Sequence, residues 1–179
     1  MKSILITIAA TLAVLILGTF IYIFSGAYDI SQLTPHNKLT RTIIGMTTKN
    51  SIERRAKENV VPANLKDPDM LITGFKHYDE MCVSCHGAPG VKQNEMVEGL
   101  YPKPPELYQH GEEDAALEFF WIIKNGIKMT SMPAFAPTHT DSNIWAITAF
   151  MLNKMNKMSP SEYQEWVKKS SGMETEKGK

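Results

Sequence analysis

Cysteine is scarce in this chain: two among 179 residues, at positions 82 and 85. One pair two residues apart cannot supply the several bridges of a small disulfide-stapled scaffold, so that class is excluded. An excess of one charge is lacking too, with 19 Lys/Arg against 19 Asp/Glu. No basic domain face of the kind nucleic acid requires emerges, and no phosphate loop or acid–base constellation is visible. The balance nevertheless hides a split. Residues 28–66 hold seven Lys/Arg against three acids, and residues 67–158 seven against twelve.

What is abundant comes first in the chain. Ile4 to Phe24 is a run of 21 residues without a charge, about 30 Å of helix at 1.5 Å per residue, enough to cross a bilayer core. Ser25-Gly26-Ala27 would pass as a signal-peptidase site, but the apolar part of a signal peptide is about 7–15 residues long. The length favours an uncleaved anchor over residues 1–27. Residues 28–66 read as a basic, partly helical connector. Its cations either stay solvated or lie against anionic headgroups. His36, beside Pro35 in this stretch, is set aside as a metal ligand. Pro62 and Pro68 break the chain before the next segment.

Cys82-Val83-Ser84-Cys85-His86 is the specific signal. Two thiols at this spacing can add across the two vinyl groups of a porphyrin, and the adjacent His can approach the iron, so the motif reads as one covalently attached haem c. A structural zinc site needs four ligands, and no second Cys/His pair is present. A thioredoxin-type CxxC belongs in a βαβ pattern, whereas the flanks here read as helix. Leu71, Phe75, Tyr78 and Cys82 recur at helical steps behind a cap at Asp67 or Asp69. Gly74, mid-helix, marks the close approach of another element.

With these residues in view the chain resembles the class I cytochromes c, specifically the small membrane-anchored single-haem cytochromes of bacterial respiratory chains, over about Asp67 to Met158. The matches are CVSCH followed by Gly87-Ala88-Pro89-Gly90, then Pro105-Glu106-Leu107, Met132-Pro133 and the stretch Ile144 to Leu152. The resemblance implies an all-α fold, haem wrapped by three to five helices, with the apolar N-terminal helix added. It implies that the Pro105 carbonyl accepts a hydrogen bond from His86, which fixes the ring and raises its basicity. His86 and Met132 become the axial iron ligands, with Met129 as the local rival. Met151, Met155 and Met158 read as packing residues. Ile147 and Phe150 would cross the first helix of the domain at Gly74 and Tyr78. Tyr101 or Trp121 would either bond a haem propionate or simply line the pocket.

A helix should run from near Glu112 to Asn125-Gly126, another should start at Thr140 or Asp141, and Ser159-Pro160-Ser161-Glu162 reads as a capping box. Residues 159–179 are then a short helix and a disordered tail. The family attaches haem outside the cytoplasm. This implies a single pass of the bacterial inner membrane, with the N-terminus cytoplasmic and the haem domain (67–158) periplasmic. A six-coordinate His/Met haem suits outer-sphere transfer of single electrons. The function expected is therefore that of a carrier, or of the cytochrome subunit of a respiratory complex, without enzymatic activity or a small-molecule substrate. Its partners would be a quinol-oxidising complex, a dehydrogenase or a terminal oxidase. A haem enzyme or gas sensor with a dissociable distal Met is the alternative. The acidic haem domain suggests a basic or mixed docking surface on the partner and association that weakens with salt.

Overall fold

Helix α1 (Lys2–Phe24) forms because the residues that follow Lys2 offer aliphatic, aromatic or small side chains on every face. The structure, a computed structural model, describes residues 1–109 and 115–177, with side chains from 1 to 108 and from 115 to 170. The hydroxyls of Thr7, Thr11 and Thr19 each bond a carbonyl one turn back, at 3.0, 2.9 and 2.9 Å, so none is left unsatisfied in an apolar surround. Every side of α1 is exposed. By packing, the chain divides at Pro35, into Met1–Pro35 and His36–Lys179. Residues 36–66 thus group with the segment that follows them.

The reason lies in α2 (Lys38–Ala56). Asn37 caps it by accepting from the Thr40 amide, and its C-terminal end packs on α5 (Ala116–Asn125). Ile52 and Ala56 are buried there. Ile52 and Ala56 therefore anchor this end of α2 to the rest of the domain.

The core is the crossing of α3 (Pro68–Met81) and α6 (Asp141–Asn153). Asp67 caps α3 by accepting from the Asp69 amide, with Pro68 at the first position. Thr140 caps α6 by accepting from Asn143. From Ile144 to Leu152 every residue of α6 is buried. Helix packing this close requires a missing side chain: a Cβ on Gly74 would stand 1.9 Å from the Ala146 carbonyl oxygen and 2.8 Å from Phe150 Cβ. The expected pair at the glycine was Ile147 with Phe150, and the backbone of Ala146 takes the place given to Ile147. Phe150 also meets the Tyr78 ring at 5.8 Å.

Helix α7 (Pro160–Lys177) closes the core from the other side. Phe75 meets Tyr163 and Trp166 edge-to-face, at 5.4 and 5.3 Å between ring centres. Ser159 Oγ accepts from the Glu162 amide at 3.2 Å. The reciprocal arm of the expected capping box is diverted, because the Glu162 carboxylate pairs with Lys154. The helix also runs on to Lys177, through a stretch expected to be disordered and rich in the strong helix formers Glu and Lys. The expected start of α5 near Glu112 lies outside the described residues, among which there is no strand.

Candidate haem site

The CxxCH segment is shaped by the end of α3. Cys82 terminates α3 and opens the single turn α4 (Val83–His86), in which the Cys85 and His86 amides both donate to the Cys82 carbonyl, at 3.1 and 2.8 Å. One turn thus presents both thiols and the imidazole to the same side. The buried Tyr78 hydroxyl donates to the Gly87 carbonyl at 2.7 Å and ties the end of this turn to α3.

His86 is oriented by the proline-rich loop downstream of α4. Its Nδ1 lies 2.8 Å from the Pro105 carbonyl oxygen. A carbonyl can only accept, so Nδ1 carries the proton and the Nε2 lone pair is left for another partner. Burial holds the ring below the ordinary histidine value, against the Pro105 bond, which works the other way. The Gln93 amide spans the same gap, donating to the Cys85 carbonyl at 2.8 Å and to the Pro104 carbonyl at 2.9 Å. Sequence reasoning missed Gln93 and the Tyr78 hydroxyl. A lone Gln in a loop carries no signal, and Tyr78 reads only as one more residue of an apolar face.

Opposite α4, α5 stops at Gly126 and the chain loops back over its end. Ile127 N–H donates to the Met132 carbonyl at 3.2 Å, Phe135 N–H to Ile123 at 3.1 Å and Ala136 N–H to Lys124 at 3.0 Å. The Met132 amide itself donates to Thr130 Oγ1 at 3.1 Å. The Met132 loop is therefore fastened to the last carbonyls of α5.

These elements enclose a cavity of about 360 Å³ whose walls include Cys82, Cys85, His86, Met132, Ile123 and Phe135. Met129 is not on this wall. Its side chain is 99% exposed and its backbone sits at φ 57°. Met81 and Met151 line the cavity as well, but Met81 adjoins the cysteines in the chain and Met151 belongs to the buried core of α6. Neither Tyr101 nor Trp121 is part of the wall, and the Tyr101 ring instead meets His36 edge-on at 5.6 Å. Pro105 contributes both its carbonyl and a place on the wall.

Haem c suits this set of residues: two thiols on one turn, an imidazole with Nε2 available, a thioether on another wall and apolar side chains between. A redox dithiol does not. Burial, with Cys85 adding to it, pushes the Cys82 thiol up to about 12, whereas reactive CxxC pairs have a depressed thiol pKa. The family model described as Cytochrome C oxidase, cbb3-type, subunit III matches residues 69–151. Residues 69–151 are a class I cytochrome c domain. The domain binds haem c and transfers electrons, and an N-terminal apolar helix of 23 residues precedes it. No curated protein matches this cytochrome.

Proposed function

We propose that this cytochrome is a membrane-tethered carrier of single electrons, or the cytochrome subunit of a respiratory oxidoreductase complex. The observation that carries the reading is the convergence of Cys82, Cys85, His86 and Met132 on one cavity. Cys82 and Cys85 would form the two thioethers, and His86 and Met132 would be the axial ligands. Pro105 would fix the tautomer and orientation of His86. With one CxxCH and two cysteines in the sequence, the chain would hold one haem.

Once bound, haem supplies a one-electron iron couple, and a thioether ligand raises its potential. The protein's part is to fill both axial positions, exclude water with Ile123 and Phe135, and hold the ligands still. With no position open for a substrate, the chain would be an electron-transfer protein without its own catalytic step. The α1 helix would cross the bacterial inner membrane once, N-terminus inside, with the haem domain in the periplasm. Its partners would be other redox proteins of a respiratory chain. The cbb3-type oxidase named by the family match makes a terminal oxidase one such candidate.

Optical spectroscopy of the oxidised holoprotein tests the ligand set. Met132→Ala should lose the Met–iron charge-transfer band while Met129→Ala keeps it. Survival of the band in Met132→Ala would reassign the ligand, with Met81 and Met151 next in line. Rapid stoichiometric binding of carbon monoxide by the reduced native protein would instead support a haem enzyme or gas sensor with a dissociable Met.

A further inference from the structure

Helix α2 presents two apolar faces, and the fold uses one of them. Ile52 and Ala56 are buried in the domain. Leu39, Ile43 and Met46, spaced i, i+4 and i+7, stand 70%, 55% and 60% exposed. Ile43 and Ile52 are nine residues apart, two and a half turns, so they point in opposite directions. The outward stripe is thus a property of the helix and not an accident of one rotamer.

We propose that this stripe lies in the headgroup–acyl boundary of an anionic membrane, with α2 flat on the bilayer surface. Four observations select lipid over other occupants. The 13 residues between Phe24 and Lys38 span at most about 45 Å even when fully extended, so an anchored α1 keeps α2 close to a bilayer. The helix and its end carry Lys38, Arg41, Lys49, Arg54, Arg55 and Lys57 against Glu53 and Glu58, a charge complementary to anionic headgroups. Lys49 lies one turn beyond Met46, and Arg54 continues the line of Ile43 three turns on, where long side chains can reach headgroups from an apolar edge. Among the described residues, Glu53 offsets Lys49 on the surface at 3.6 Å, and such exposed pairs are weak. The stripe also lacks the aromatic anchors that dominate protein interfaces.

Because the inward face of α2 packs on α5, this placement would fix which side of the haem domain meets the bilayer. The inference rests on α1 being the membrane anchor, and the test separates the two. Nitroxide labels are placed on Leu39→Cys, Ile43→Cys and Met46→Cys of the full-length holoprotein in vesicles of mixed zwitterionic and anionic lipid. Leu12→Cys in α1 and the exposed Ser142→Cys serve as references. Collision with oxygen, which partitions into lipid, is compared with collision with a water-soluble nickel chelate. The three α2 labels should share the oxygen preference of Leu12. In purely zwitterionic vesicles, or with Lys38, Arg41, Lys49 and Arg54 changed to Gln, they should fall to the Ser142 value. If Leu12 shows lipid contact while the α2 labels match Ser142 from the outset, the inference fails and the anchor stands. If Leu12 itself is in water, the anchor reading fails and takes the inference with it. Labels shielded from both reagents would mean that protein covers the stripe, which also overturns the proposal.

Discussion

The Met132 carbonyl oxygen lies 2.8 Å from where a Cβ on Gly126 would stand, and the Pro133 carbonyl carbon lies 2.7 Å from it. Gly126 also sits at φ 65° with ψ −173°, a region essentially reserved for glycine. The bare backbone at the end of α5 is what lets the Met132 loop lie against it. Gly126→Ala should cost about 1–3 kcal/mol from strain and push the loop outward. Denaturant titration of the holoprotein measures the first effect. A weakened Met–iron band and a lower midpoint potential, with the His86 side unchanged, would report the second.

Gly74 and Gly45 make an opposed pair. At Gly74 a Cβ would meet the Ala146 carbonyl oxygen at 1.9 Å, while at Gly45, inside α2, nothing stands within 4 Å. Gly74→Ala forces two helices of the core apart and should cost about 3 kcal/mol or more. Gly45→Ala should stabilise by about 0.5–1 kcal/mol, through helix propensity alone. Thermal unfolding of the two holoproteins checks both signs. An unchanged melting temperature in Gly74→Ala would show that the α3–α6 crossing has more slack than these distances allow.

Much of this was legible because local chemistry dictates it. CVSCH, the caps (at Asp67 or Asp69, and at Thr140 or Asp141) and the apolar steps of α3 are short-range patterns, and Gly74 announced a crossing partner without naming Ala146. What stayed hidden depends on distant segments. No periodicity says that Gln93 reaches the Cys85 and Pro104 carbonyls at once, or that Glu162 prefers Lys154 to its own capping box. The docking of α2 on α5 was likewise invisible, because the apolar residues of α2 are divided between two faces and cancel as a pattern. Met132 could be preferred to Met129 from Pro133, but the exposure of Met129 is a property of the folded loop.

Tyr163 and Asp79 tie α7 to α3. The hydroxyl donates to Asp79 Oδ1 at 2.7 Å, and the ring is wholly buried. Tyr163→Phe keeps the packing and removes a hydrogen bond to a charged acceptor, worth about 1.5–3 kcal/mol. Urea unfolding of the single variants and of Tyr163→Phe/Asp79→Asn forms a double-mutant cycle. If the two effects simply add, the bond contributes nothing and α7 is held by its ring packing on Phe75 and by the Lys154–Glu162 pair.

His77 on α3 faces His139, which lies just beyond the Met132 loop, with ring centres 5.2 Å apart. Burial, and then the charge of His139, hold His77 below the ordinary value of 6.5, while Glu80 pulls it back. The unfolded chain therefore takes up this proton at a higher pH than the folded one. Stability is complete above 6.5 and declines as pH falls from there towards the folded value, since the unfolded state then binds more protons. Melting temperature measured across this range should drop on acidification. His86 is held low by burial in the same direction, so the total slope has more than one source. The difference between native protein and His139→Gln isolates the pair: the variant keeps the burial of His77 but removes the facing charge, and its decline should be shallower. Parallel curves for the two proteins would mean that the His139 charge does not reach His77.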